Sequence, residues 1–109
     1  MMGLPSLAPP GIFNQMVNYN PHTLNLVFGA LAHPIRRGIL ARLSTGEATI
    51  AELAKPFKVS APAITKHMRI LEEAGLLSRK KQGREHHCRL EQKRMKEAET
   101  WIENHRKFW

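Results

Sequence analysis

The chain of 109 residues has a single cysteine, Cys88, so it can form no intramolecular disulfide, which suits a reducing compartment. No apolar run approaches the roughly 18 residues of a membrane-spanning helix. The N-terminus has no basic stretch leading into an apolar core, the mark of a secretory signal. A cytoplasmic protein without a membrane partner is therefore expected. Acidic residues are scarce as well: nine Asp and Glu against 17 Lys and Arg leave a formal net charge of +8. The first 35 residues carry no Asp, Glu, Lys or Arg at all. Missing too are a glycine-rich phosphate loop, a nucleophile elbow and a working pair of carboxylates; Glu72 and Glu73 read as a solvated face. These absences argue against an enzyme, and no cofactor is expected.

What is present is positive charge in one place. Residues 55–89 hold nine Lys and Arg against three Glu, a surplus of six out of the net eight. Such a concentration calls for a polyanionic partner. A membrane surface fits poorly, because the basic residues do not lie along one amphipathic helix.

The pattern along the chain places that charge. Residues 1–21, uncharged and rich in proline, are expected to form a mobile N-terminal arm ahead of one domain over 22–109. Leu24, Val27, Phe28 and Leu31 recur at helical spacing over about 22–32. His33 is expected to cap or pack, as is His22, and Pro34 suits the first position of a second helix that buries Ile35, Ile39, Leu40 and Leu43. Thr49 and Glu52 have the spacing of a capping box, opening a third helix with Ile50, Leu53, Ala54 and Phe57 as its apolar stripe. Pro56 ends that helix near Lys55. Ser60 caps a fourth helix that tolerates Pro62 in its first turn and turns Ile64, Met68 and Leu71 inward. Gly75 closes it as a left-handed cap, with Leu76 folding back. Residues 76–81 and 86–90 read as two strands joined by 82–85, with Gly83 supplying the turn. From about Glu91 the chain is helical again, with Met95, Ala98, Trp101, Ile102, His105 and either Phe108 or Trp109 in one stripe.

The expected fold class is mainly α with a small β-hairpin: a winged helix-turn-helix in the order α-α-α-α-β-β-α. Such a unit lays its recognition helix in the major groove of double-stranded DNA. Here that helix is 60–74, with a wing over 79–89 on the backbone or minor groove. The expected DNA-binding residues are Lys58, Ser60, Ala61, Pro62, Thr65, Lys66, His67 and Arg69, with Lys80, Lys81 and Arg84 from the wing. Thr65 suits a base edge, while the Lys and Arg side chains suit phosphates or guanine. The N-terminus of the helix is expected to offer free amides to a phosphate. A winged-helix module for protein–protein contact, without specific DNA binding, is the alternative, and it would show no salt-dependent affinity for DNA.

Four segments carry a family resemblance: L-A-H-P-I-R-R-G-I-L (31–40), T-I-A-E-L-A (49–54), V-S-A-P-A-I-T-K-H-M-R-I-L-E-E-A-G-L-L (59–77) and K-K-Q-G-R-E-H-H (80–87). From Leu26 to Trp109 the sequence resembles the ArsR/SmtB family of winged-helix transcriptional regulators. The resemblance implies a homodimeric repressor on a palindromic operator, released by a signal, and a dimer built from the first and last helices. The expected interface residues are Leu24, Val27, Phe28, Met95, Ala98, Trp101, Ile102, His105 and Phe108. The last stripe supports pairing independently, although packing within the chain would use it equally well. Family members that sense metals use a Cys-x-Cys pair in the third helix. The matching positions here are Ala54 and Pro56, which cannot ligate, and no metal site is expected. His86 and Cys88 share a strand face, yet two more ligands would have to come from elsewhere. Where the family often has Gln after the capping serine, this chain has Ala61.

Overall fold

A computed structural model describes residues 21–106. Most of the expected arm and the interface candidate Phe108 therefore lie outside the described residues. Helix α1 spans Pro21–Ala30 and α2 spans Pro34–Leu43. A two-residue strand β1 (Ala48–Thr49) leads into the short helix α3 (Ile50–Ala54), and α4 (Ala61–Glu73) follows. Strands β2 (Leu77–Gln82) and β3 (Glu85–Leu90) form a hairpin, and α5 runs over Gln92–Arg106.

The expected element order thus needs one correction. The sheet has three strands in the order β1-β3-β2, all antiparallel, with Ala48 opposite Cys88 and Thr49 opposite His87. Two residues are too few to show an alternating pattern, so β1 leaves no periodic signal. Thr49 serves twice, as a strand residue and as the N-cap of α3. Its Oγ1 accepts from the Glu52 amide at 3.1 Å, and Glu52 Oε1 accepts from the Thr49 amide at 2.8 Å. These bonds hold the Glu52 carboxyl below its ordinary range.

Helix ends follow local chemistry. His33 caps α2 by accepting the Ile35 amide on its Nδ1 at 3.1 Å. Ser60 caps α4 through Oγ, 3.3 Å from the Ala63 amide. At the other end Gly75 takes φ 73°, the Leu76 amide donates to the Leu71 carbonyl and the Gly75 amide to Glu72. That pair of bonds is a Schellman motif, and Leu76 and Leu71 are both wholly buried beside it. The helix-turn-helix corner is tightened by Phe57, whose ring lies so close to Gly38 that an added Cβ would sit 2.8 Å from it.

One core holds these pieces. Ile39, Leu53, Ile64, Met68, Leu71, Leu76 and Cys88 have no more than 1% of their surface exposed. Burying an aliphatic side chain of this size is worth about 1.5–3 kcal/mol, so α4 is fixed chiefly by its inward stripe. Helix α5 packs back on α1, where the Phe28 and Trp101 rings meet edge to face at 5.7 Å. One expected interface residue is corrected here: Val27 (1% exposed) is sealed inside the protomer by that packing, while Ala98 (2%) lies at the floor of a cleft between the two helices.

Candidate nucleic-acid interface

The inward stripe of α4 dictates its outward one. With Ile64, Met68 and Leu71 buried, Ala61, Pro62, Thr65, Lys66 and Arg69 are all exposed, and Lys58 and Ser60 are exposed in the turn before them. The hairpin carries Lys80, Lys81 and Arg84 outward on the wing, where Gly83 takes φ 64° to make the turn. A cleft of about 400 Å³ lies between the two elements, lined by Thr65 of α4, by Thr49, Ile50 and Ala51 at the start of α3, and by Arg79, Arg84, Glu85 and His86 of the hairpin. The exposed cations Lys66 and Arg69 of α4 and Lys80, Lys81 and Arg84 of the wing thus lie on the two elements that this cleft separates.

The wing root is tied to α4 by an ion pair. Arg79 Nη2 lies 2.8 Å from Glu72 Oε1, with both side chains about three-quarters buried. Glu72, expected on a solvated face, is therefore the anchor of the wing. Nothing in the sequence sets it apart from Glu73, because only the hairpin's return brings Arg79 over it. Elsewhere on the hairpin Ser78 Oγ donates to Glu91 Oε2 at 2.6 Å, which with Arg89 holds the Glu91 carboxyl low.

The geometry shows how three of these groups are already engaged. The first turn of α4 is not a ring of free amides. Pro62 has no N–H, the Ala63 amide donates to Ser60 Oγ, and the Ile64 amide donates to the Ser60 carbonyl. His67 is not a free base reader: its Nδ1 lies 3.2 Å from Arg36 Nη1, and its ring packs on that of His33 with centroids 4.4 Å apart. Burial, with His33, Arg36 and Lys66 nearby, pushes the His67 pKa below its ordinary value. Cys88 lies wholly in the core, its thiol pushed up by burial. Among the described residues no three His, Cys, Asp or Glu side chains are grouped to hold a metal ion.

Sequence reasoning missed Arg36. Its Nε donates to the Ala30 carbonyl at 2.8 Å and its Nη2 to Gly29 at 3.2 Å, while Nη1 reaches His67. One guanidinium thus ties the C-terminal end of α1 to α4. The only hint in the sequence is its position in the first turn after Pro34.

A second surface lies on the opposite elements. Helices α1 and α5 frame an apolar cleft of about 500 Å³ lined by Phe28, Leu31, Leu90, Met95 and Ile102. Ile102 is 43% exposed. Trp101 stacks on His105 at 4.1 Å, and His105 Nδ1 donates to the Trp101 carbonyl at 2.8 Å. Leu24, Phe28, Met95, Trp101 and His105 are all half-buried, so part of each remains available to a partner. Among the described residues no helix is long and apolar enough to cross a membrane.

Comparison with known proteins agrees with this geometry. A helix-turn-helix domain family model matches residues 31–79. The chain is 32% identical over 81 residues to the transcriptional repressor SdpR of Bacillus subtilis, covering 74% of this chain and 90% of that one. Its structure is similar to the crystal structure of an ArsR family transcriptional regulator, with a TM-score of 0.80 and 42% identity over 84% of this chain and 94% of the other. It also shares its fold with a homodimeric winged helix-turn-helix DNA-binding domain from Mycobacterium bovis. There the TM-score is 0.60 at 23% identity, over 63% of this chain and 64% of that one.

Proposed function

The chain belongs to the ArsR family of winged helix-turn-helix transcription regulators, and from that premise we propose that it is a homodimeric repressor of a two-fold symmetric DNA operator. Binding DNA to regulate transcription is the family's work, and it is not enzymatic. In the proposed complex α4 lies in the major groove, with Thr65, Lys66 and Arg69 toward the bases and adjacent phosphates. Lys80, Lys81 and Arg84 follow the backbone or the neighbouring minor groove. The observation that carries this reading is the shared surface of α4 and the wing, where Thr65 and Arg84 line one cleft. Two such surfaces about 34–36 Å apart would meet successive turns of one DNA face.

The pairing surface in this reading is the apolar cleft of α1 and α5, which leaves Ile102 and parts of Phe28 and Met95 uncovered in a lone protomer. Sedimentation should give a particle of twice the chain's 12.4 kDa. Binding to duplexes enriched from a random pool should saturate at one dimer per site. A monomer, or an affinity for DNA indifferent to salt, would overturn the proposal, since phosphate contacts release counterions and make affinity fall steeply with salt.

A further inference from the structure

The leading end of α4 carries few hydrogen-bonding groups. Val59, just before the helix, is 37% exposed, and Ala61 and Pro62 are exposed beside it. Ser60, the one polar side chain in this stretch, accepts the Ala63 amide on its Oγ and keeps its O–H as the single side-chain donor. The backbone offers little more than the Ala61 amide, because Pro62 lacks an N–H and the Ala63 and Ile64 amides are both given to Ser60. What remains is a short apolar edge, with the exposed cations Lys58 and Lys66 on either side and Arg69 one turn on.

In the major groove one base feature matches an apolar edge: the C5-methyl group of thymine. Cations beside that edge suit the phosphates flanking the same base pairs. Resting on the DNA-binding reading above, we propose that Val59, Ala61 and Pro62 are specificity residues that read thymine methyl groups. Thr65, one turn further along, is the first side chain of α4 to read a base by hydrogen bonding. The entry turn therefore selects thymine by contact, and hydrogen-bond readout begins only past it. A protein partner for this edge is the competing occupant. The three cations around so small an apolar area favour DNA.

The test uses the full chain and a pool of duplexes with a randomised core. The enriched duplex is resynthesised with deoxyuridine in place of thymidine, one position at a time, which removes only the methyl. One or two positions in each half-site should lose about fourfold in affinity, the worth of one buried methyl. The Val59→Ala protein, whose melting should match the parent because Val59 is exposed, should lose that discrimination. Uracil tolerated at every position would overturn the proposal, as would unchanged binding of the selected duplex by Val59→Asp, which would leave the edge to a protein partner. Failure of any duplex to enrich would instead remove the DNA-binding reading itself, and this inference with it.

Discussion

The guanidinium of Arg36 meets the imidazole of His67 at 3.2 Å across the gap between α2 and the recognition helix, while its other nitrogens hold the Gly29 and Ala30 carbonyls. Arginine only donates, so His67 accepts through Nδ1 and carries its proton on Nε2. The end of α1, itself part of the proposed pairing surface, is in this way joined to α4 by a single side chain.

Replacing Arg36 by Ala should lower stability to urea by about 1–3 kcal/mol, since it takes a charged donor from the half-buried Ala30 carbonyl and His67 ring nitrogen. Lysine should restore little, because a point charge cannot address three acceptors at once as the guanidinium fork does. An Arg36→Lys protein with parental stability would show that the fork is dispensable.

The same contact gives a pH dependence with a definite sign. Burial holds the folded-state pKa of His67 below its ordinary 6.5, and the neighbouring His33, Arg36 and Lys66 act in the same direction. Below about 6.5 the unfolded chain therefore binds a proton that the folded chain refuses. The contribution of His67 is complete above that pH and is lost as pH falls through the lowered value. Urea midpoints should decline less between pH 7.5 and 5 in His67→Gln, which keeps an acceptor for Arg36 but does not titrate. Equal declines in the two proteins would remove His67 from the account.

Much of this fold is written locally in the sequence. The caps Thr49, Ser60 and Gly75 and the inward stripe Ile64, Met68, Leu71 are short-range signals, and each falls where its chemistry places it. Strand β1 escapes because Ala48 and Thr49 become a strand only when β3 arrives beside them. Arg36 and Glu72 escape for the same reason: each is an ordinary polar residue until a distant element delivers its partner, His67 to one and Arg79 to the other. Val27 and Ala98 fit an interface stripe and an internal one equally well by spacing. The docking of α5 on α1 assigns them inward.

The wing should divide its cations by commitment. Lys80, Lys81 and Arg84 are exposed, so each substitution by Ala should flatten the plot of log affinity against log salt by about 0.9 and weaken all sequences alike. Arg79 is held at 2.8 Å by Glu72 at the wing root, so Arg79→Ala should change that slope less and cost folding stability instead. Thr65→Ala and Arg69→Ala, on the outer face of α4, should change which sequences are preferred. Identical effects from the wing and helix substitutions would erase this division.

The pairing surface can be tested without disturbing the fold, because its residues differ in burial. Ile102 is 43% exposed beside the cleft of α1 and α5, with Glu99 and Glu103 on its rim. A third carboxylate there, in Ile102→Glu, leaves a lone protomer intact but sets like charges in a dimer contact that would have to exclude water. The variant should sediment as a folded monomer with parental circular dichroism. It should also lose affinity for a two-fold symmetric site far more than for a half-site. Ala98→Glu provides the contrast: only 2% of Ala98 is exposed, at the floor of the cleft, so a longer side chain there must push α5 away from α1 and should cost folding stability. An Ile102→Glu protein that stays dimeric would place the pairing surface away from α5.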